Sequence, residues 1–286
     1  MPPSSAPVLT RTKVVLLGTG TPNADPERMG PALAIVIDEQ AYLVDCGPGI
    51  VRRAAAAHER GVKALAVSRL ERVFITHLHS DHTLGLPDLI FTPWVLERTG
   101  PLHVFGPPGT RRMVNHITDA WAEDVQVRLD GLQPANHTGH HVIVHEIGEG
   151  EVYRDANLTV TAFPVDHGGW EHAFGFRFEG PDRTVVVSGD TRPSERLIGA
   201  AKGCDVLVHE VYSAKRFATI PPEWQRYHRA FHTSTTELAE LASRIRPSLL
   251  ILTHQLYWGA SDAELVAEVE AGYAGTVNSG RDLGVY

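Results

Sequence analysis

Short apolar runs rich in Val, Ile and Leu recur along the chain, at residues 14–17, 33–37, 42–44, 73–75, 142–144, 158–163, 184–187, 206–208 and 249–252. Bounded by Gly, Pro and Asp, they read as strands. Between several of them lie stretches with helical spacing of apolar positions, at residues 50–58, 84–97, 110–121, 193–201, 235–244 and 262–271. The first half mixes hairpins with crossovers, and the second half does so again. That order predicts an α/β chain of two mixed sheets packed face to face with helices outside, a four-layer sandwich. Residues 1–286 read as one domain with residues 1–12 flexible, and residues 130–150 are the most loop-like internal segment. No internal repeat of solenoid period is visible.

Composition narrows the class. A hydrophobic content of 43% in 286 residues is enough for a sizeable core. Lys and Arg number 26 against 34 Asp and Glu, a formal net charge of -8. Generic attraction to nucleic acid or to an anionic membrane is therefore not expected, and an anionic substrate has to be drawn locally. Cys46 and Cys204 make no disulfide framework and no C-x-x-C metal site, and read as small buried residues beside strands. The start, Met1-Pro2-Pro3-Ser4-Ser5-Ala6-Pro7, has no basic region followed by an apolar stretch, and no segment reaches about 18 uninterrupted apolar residues. A cytoplasmic protein without a membrane partner is the expectation. The 16 histidines are the anomaly.

Four of those histidines and acids crowd together in Thr76-His77-Leu78-His79-Ser80-Asp81-His82, directly after a predicted strand. Imidazoles and a carboxylate at that spacing repel or go unsatisfied unless a cation organises them. His77 and His79, two apart on an extended segment, can point the same way, while Asp81 and His82 turn toward a neighbouring position. Two adjacent metals are the natural result. A solvated polar loop with incidental histidines is the alternative, and the density of ligand types disfavours it.

With this motif, the chain resembles the metallo-β-lactamase superfamily, whose αββα sandwich carries H-x-H-x-D-H. The resemblance implies further ligands at strand ends, and the chain offers Asp166-His167-Gly168, Ser188-Gly189-Asp190-Thr191 and Thr253-His254. It implies one metal on His77, His79 and His167, another on Asp81, His82 and His254, and Asp190 bridging. A donor set dominated by imidazole favours two zinc ions, with manganese or iron as alternatives. Two divalent ions less two carboxylates leave a local charge of about +2, which lets an acidic chain hold a phosphate or sulfate.

Leu17-Gly18-Thr19-Gly20-Thr21-Pro22, Asp45-Cys46-Gly47-Pro48-Gly49, His209-Glu210 and His232-Thr233-Ser234 resemble the branch of ribonuclease Z and its arylsulfatase and phosphodiesterase relatives. In that branch a histidine in the position of His232, oriented by the acid in the position of Glu210, acts near the scissile group. Thr233, Ser234 and Thr235 could equally cap the helix that follows, and both roles can hold together. Asp45 reads as a structural acid anchoring the metal loops. His137, His140, His141 and His145 lack a carboxylate or Cys at fixed spacing and read as a solvated segment. Gly18-Thr19-Gly20 is no dinucleotide loop, because Asn23 replaces the third glycine. His209-Glu210 is no zincin motif, because Ser213 replaces the second histidine.

The implied reaction is hydrolysis by a water that two metals activate, its pKa lowered to about 7, with Asp81 and Asp190 orienting it and His232 stabilising the departing oxygen. A small phosphodiester or aryl sulfate is the first expectation for substrate. Ribonuclease Z enzymes of bacteria usually carry a long tRNA-gripping arm between the third His ligand and the bridging Asp, and only 22 residues separate His167 from Asp190. A tRNA 3′ endonuclease is therefore the alternative, and nucleic acid an unlikely partner. Residues 89–94, with Trp170, His172, Trp224, Tyr227, Tyr257 and Trp258, could wall a pocket for a small ester. Asp190 disfavours β-lactamase activity and His79 disfavours an oxygen-reducing di-iron role. A non-catalytic metal-dependent binding protein is the rival from another class, and a homodimer is suggested by the resemblance alone.

Overall fold

The computed structural model describes residues 11–286, and its strands form two sheets. The first runs β1 (Thr12–Gly18), β2 (Ala32–Ile37), β3 (Gln40–Val44), β4 (Arg72–Phe74), β5 (Leu102–Gly106) and β6 (Val142–Glu146) in spatial order, antiparallel through β3 and parallel after it. The second runs from β7 (Gly150–Arg154) through β8 (Thr159–Pro164), β9 (Phe174–Glu179) and β10 (Thr184–Val187), all antiparallel. It continues in parallel through β11 (Val206–Tyr212), β12 (Leu249–Leu256) and β13 (Val277–Ser279). Each sheet thus opens with hairpins and closes with crossovers, the alternation expected of each half.

Most of the continuous apolar runs, such as β2 and β11, are strands buried on both faces, whereas β6 leaves Ile143 exposed. Val14 and Leu16 of β1 join the core between the sheets, while Val15 and Leu17 join the core under the first helical layer. Between the sheets Phe74 stacks on Phe105 at 4.8 Å and meets Phe176 and Phe178 of the second sheet edge-on at 5.7 and 5.6 Å. Helices α1 (Ile50–Glu59), α2 (Ser80–Thr83), α3 (Leu86–Val95), α4 (Thr110–Ala120) and α5 (Ala122–Asp130) accompany the first sheet. Helices α6 (Glu195–Ala201), α7 (Ala214–Phe217), α8 (Pro222–Phe231), α9 (Thr235–Ile245) and α10 (Asp262–Glu270) accompany the second, α6, α9 and α10 over a third apolar core. The αββα sandwich is the architecture expected.

Several expectations need correction. Residues 1–10 of the segment expected to be flexible lie outside the described residues, but Thr12 is already a buried member of β1. Strands β5, β7, β9 and β13 and helices α5, α7 and α8 were not expected from the pattern. In β9 the apolar residues Phe174, Phe176 and Phe178 alternate with Gly175 and Arg177, so no continuous run announces the strand. Cys46 and Cys204 are free and buried in opposite outer cores. No helix among the described residues is long and apolar enough to cross a membrane.

Candidate metal centre and active-site pocket

The site lies at one end of the strands, where chain segments leave the two sheets. Thr76 follows β4, and its backbone and hydroxyl both bond Asp45, the residue after β3, at 2.8 to 3.0 Å. Asp45 has a φ of +58° and its Oδ2, which the Thr76 hydroxyl also reaches, accepts the Nδ1 proton of His82 at 2.8 Å. That contact turns Nε2 of His82 inward, where it is buried with no hydrogen-bond partner among the described residues. Asp45 thus anchors the motif's loop without entering the cluster.

Two more rings, His77 and His167, are held from behind in the same way. His77 Nδ1 contacts the Thr76 hydroxyl at 3.0 Å, and His167 Nδ1 donates to the Phe231 carbonyl at 2.8 Å. Gly168 lets that second contact form: it has a φ of +55°, and a Cβ there would lie 2.1 to 2.3 Å from the Phe231 ring. The inward nitrogens converge, with His77 Nε2 and His167 Nε2 standing 2.9 and 3.2 Å from His79 Nδ1. His254 reaches the site through a bulge, being the unpaired residue between Thr253 and Gln255 of β12, with a φ of +44°.

Ligand atoms of His77, His79, His167 and Asp190 fall within 4.8 Å of one another, and so do those of Asp81, His82 and His254. His82 Nε2 lies 3.5 and 3.4 Å from oxygens of Asp81 and Asp190, and His254 Nε2 lies 3.3 Å from each. Ligands about 2.0 to 2.1 Å from a shared tetrahedral ion stand about 3.3 Å apart. The spacing, the buried Nε2 without a partner and the imidazole-carboxylate donor set fit a divalent cation at each group.

Burial works against charge on most of the rings. It drives His77 well below the ordinary histidine range and His167 down to about 4. Burial also opposes protonation of His82, but Asp190 and Asp45 overcome it and raise that ring well above its ordinary value. Burial would raise Asp190, yet His254 and His82 hold it well below the usual carboxylate range. The cluster therefore keeps its carboxylates ionised and most of its imidazoles neutral, the states that bind a cation.

His232 is the C-terminal cap residue of α8, and the box that starts α9 is made by Ser234 and Glu237. Capping therefore occupies Ser234 and leaves the His232 ring free. Its Nδ1 sits 3.3 Å from Glu210 Oε1, which accepts the backbone N–H groups of Thr191 and Thr233 at 3.2 and 3.0 Å. Ligand atoms of His232, Asp190 and His254 lie within 4.8 Å of one another. Burial lowers His232 to about 4, while burial and then Asp190 raise Glu210 well above its ordinary value.

Above the cluster opens a cavity of about 480 Å³ whose floor includes His79, Asp81, Asp190, His232 and His254. Its walls are Ile220, Trp224, Tyr227, His228, Leu256 and Trp258 on one side and Pro22 and Asn23 on the other. Of the aromatic residues expected there, Trp224, Tyr227 and Trp258 take part. Leu89, Ile90, Phe91 and Trp94 are instead buried in the outer core, His172 is exposed, and Tyr257 faces a separate depression beside Arg28. The spacing of Trp224, Tyr227, His228 and Phe231 after Pro221-Pro222 was the unread sign of α8. His137 and His141 are exposed, and His145 pairs with His103 at 3.3 Å. None of the histidines between 137 and 145 joins a metal-type group among the described residues.

Residues 40–255 match the family described as a beta-lactamase superfamily domain. A curated ribonuclease Z of Mycobacterium sp. (strain KMS) is 37% identical over 246 residues, 85% of this chain and 84% of its own. The ribonuclease Z of Mycobacterium bovis (strain BCG / Pasteur 1173P2) is 34% identical over 280 residues, covering 95% of this chain and 96% of its own. Among solved structures, human tRNase Z, short form, superposes with a TM-score of 0.71 at 21% identity, over 96% of this chain and 98% of that one. The metallo-beta-lactamase fold protein YhfI from Bacillus subtilis gives 0.72 at 18% identity, over 97% and 100%.

These relatives overturn the expectation that nucleic acid is an unlikely partner. A net charge of -8 governs long-range attraction summed over the whole surface, not which bond a buried cluster can cut. The short link from His167 to Asp190 does hold only β9 and β10. It does not separate this chain from the Mycobacterium bovis ribonuclease Z, whose 96% coverage leaves no room for a long additional arm.

Proposed function

The chain belongs to the metallo-β-lactamase superfamily, on its ribonuclease Z branch, and is a metal-dependent hydrolase; from that premise we propose that it is a phosphodiesterase that cleaves RNA as a ribonuclease Z, at the 3′ side of tRNA precursors. The observation that carries this reading is an additional buried imidazole, His232, beside two cation-type groups at the floor of one pocket. Hydrolysis of a phosphodiester needs an activated water, neutralisation of the phosphoryl oxygens and a proton for the departing oxygen. The site offers a group for each.

We assign His77, His79 and His167 to one ion, Asp81, His82 and His254 to the other, and Asp190 to both. Bound there, zinc ions would lower the pKa of water toward neutrality and offset phosphate charge. Asp81 and Asp190, ionised on the pocket floor, accept hydrogen bonds from the attacking water and orient it. His232 directs its Nε2 hydrogen at the departing oxygen and stabilises the charge that develops there as the P–O bond breaks. Glu210, 3.3 Å from Nδ1 of the same ring, orients that ring. An aryl sulfate or other small ester is less favoured, since the curated relatives reported above are named ribonuclease Z.

The test is cleavage of a tRNA precursor with a 3′ trailer by the metal-loaded protein. Cleavage at one site, loss of more than about a hundredfold in His232→Ala with its metal content retained, and loss of metal in His77→Ala are the expected results. Full metal occupancy without RNA cleavage, together with turnover of p-nitrophenyl sulfate, would replace this reading with the sulfatase one.

A further inference from the structure

We propose that the aromatic wall built by α8 and Trp258 is a stacking subsite for a single unpaired nucleotide base, that of the nucleotide whose oxygen departs at the scissile phosphate. This rests on the RNA reading above and narrows it to a feature of the substrate. Trp224, Tyr227, His228 and Phe231 share one face of α8, at i, i+3, i+4 and i+7. Phe231 is used beneath, against His167 at 5.0 Å. The remaining three face the pocket.

Trp224 is 52% exposed, a large apolar surface at the pocket rim with no core to fill. It lies nearly parallel to His228, at 5.8 Å and 29° between planes. Trp258 closes the set edge-on to His228 at 4.9 Å. Its backbone has a φ of +44°, a conformation costly for a bulky residue. Packing on Tyr212 at 5.4 Å and Phe217 at 6.2 Å holds its ring there. His228 is itself buried, with Nδ1 lacking a hydrogen-bond partner among the described residues.

Size and charge select the occupant. A cavity of about 480 Å³ takes one base and its ribose and excludes a duplex. No Lys or Arg lines it, so its walls offer nothing to a second phosphate and favour a neutral planar group. Base stacking on aromatic side chains, with His228 near the base edge, meets those conditions. His232 on the same floor places the departing oxygen at the pocket's inner end, so the base belongs to the nucleotide on that side of the cut.

The experiment uses the metal-loaded full chain and two RNAs with 3′ trailers, identical except that one is abasic at the nucleotide that keeps the departing oxygen. The wild-type protein is expected to favour the intact RNA by about tenfold or more in kcat/KM, as stacking of one base implies. In Trp224→Ala that ratio falls toward one, and in Trp224→Phe it is restored. Because Trp224 is half exposed, its replacement does not empty a core site. Equal cleavage of both RNAs by the wild-type protein, or an undiminished ratio in Trp224→Ala, would overturn the subsite while leaving the ribonuclease reading standing. Cleavage of neither RNA by metal-loaded wild-type protein would remove the ribonuclease reading and the subsite with it.

Discussion

The indole N–H of Trp170 donates to Nε2 of His79 at 2.7 Å. A tryptophan can only donate, so this bond fixes the His79 proton on Nδ1, the nitrogen that faces His77 and His167. A cation bound at Nδ1 requires the proton on Nε2, and the indole then loses its acceptor. Loading the site is therefore expected to shift Trp170 fluorescence, and Trp170→Phe to abolish that component. Trp170→Phe should also tighten metal binding by up to about tenfold, the worth of one neutral hydrogen bond. A metal titration in which the variant binds more weakly would show that Trp170 supports the loaded site instead.

Asp45 acts on the opposite ring in the opposite sense. Its carboxylate holds the His82 proton on Nδ1 and so presents Nε2 to the cluster. Asp45→Ala should weaken metal binding by about 10- to 100-fold, the usual cost of removing such a support. Competition with a chelator measures this directly. Unchanged affinity would mean that neither the His82 nor the Thr76 contacts of Asp45 are needed to position the ligands.

How much of this was readable beforehand depended on which atoms a residue meets. His77 to His82 announced themselves because ligand types crowd after a strand whose both faces are buried, and the strand-end positions of His167, Asp190 and His254 follow from the same sandwich. The bulge that aims His254 leaves no trace in composition, and the alternating pattern of β9 hid a strand among short runs. Trp94 and Trp224 are alike as residue types, yet Trp94 bonds the Asn136 carbonyl inside the outer core while Trp224 stands at the pocket rim. Only packing distinguishes them. The charge sum misled about nucleic acid because it averages over a surface on which one pocket is a small part.

Arg98 shows the same limit for the segment around residue 139. It is fully buried, and its guanidinium donates to the carbonyls of Leu70, Leu89, Ile90 and Gly139 at 2.7 to 3.0 Å. It therefore ties α3 to the loop-like stretch expected to be merely solvated. Arg98→Met would remove the guanidinium donors from all four carbonyls. A loss of about 3–5 kcal/mol in unfolding free energy is expected, as for breaking other buried charged networks. Urea unfolding measures it, and a change below about 0.5 kcal/mol, as at an ordinary surface position, would contradict the clamp.

The cluster also sets how the metal-free protein responds to acid. Burial holds His167, His209, His228 and His232 down to about 4, and lowers His77 and His79 as well. Below about pH 6.5 the unfolded chain protonates these rings while the folded chain resists, so the unfolded state binds more protons and stability falls with pH. His82 and His254 are raised, and act the other way. Their contribution is fully present below about 6.5 and is lost as pH rises through their folded values. Glu210, also raised, adds stability as pH falls toward about 4.5, and the six lowered rings outweigh these three raised groups between pH 6.5 and 4. Asp190, depressed, adds a further loss as pH drops below about 3.8. Chelator-treated protein should show a thermal midpoint that falls steadily from pH 7 to pH 4. A midpoint that stayed level or rose over that interval would mean the rings are not held neutral in the metal-free fold.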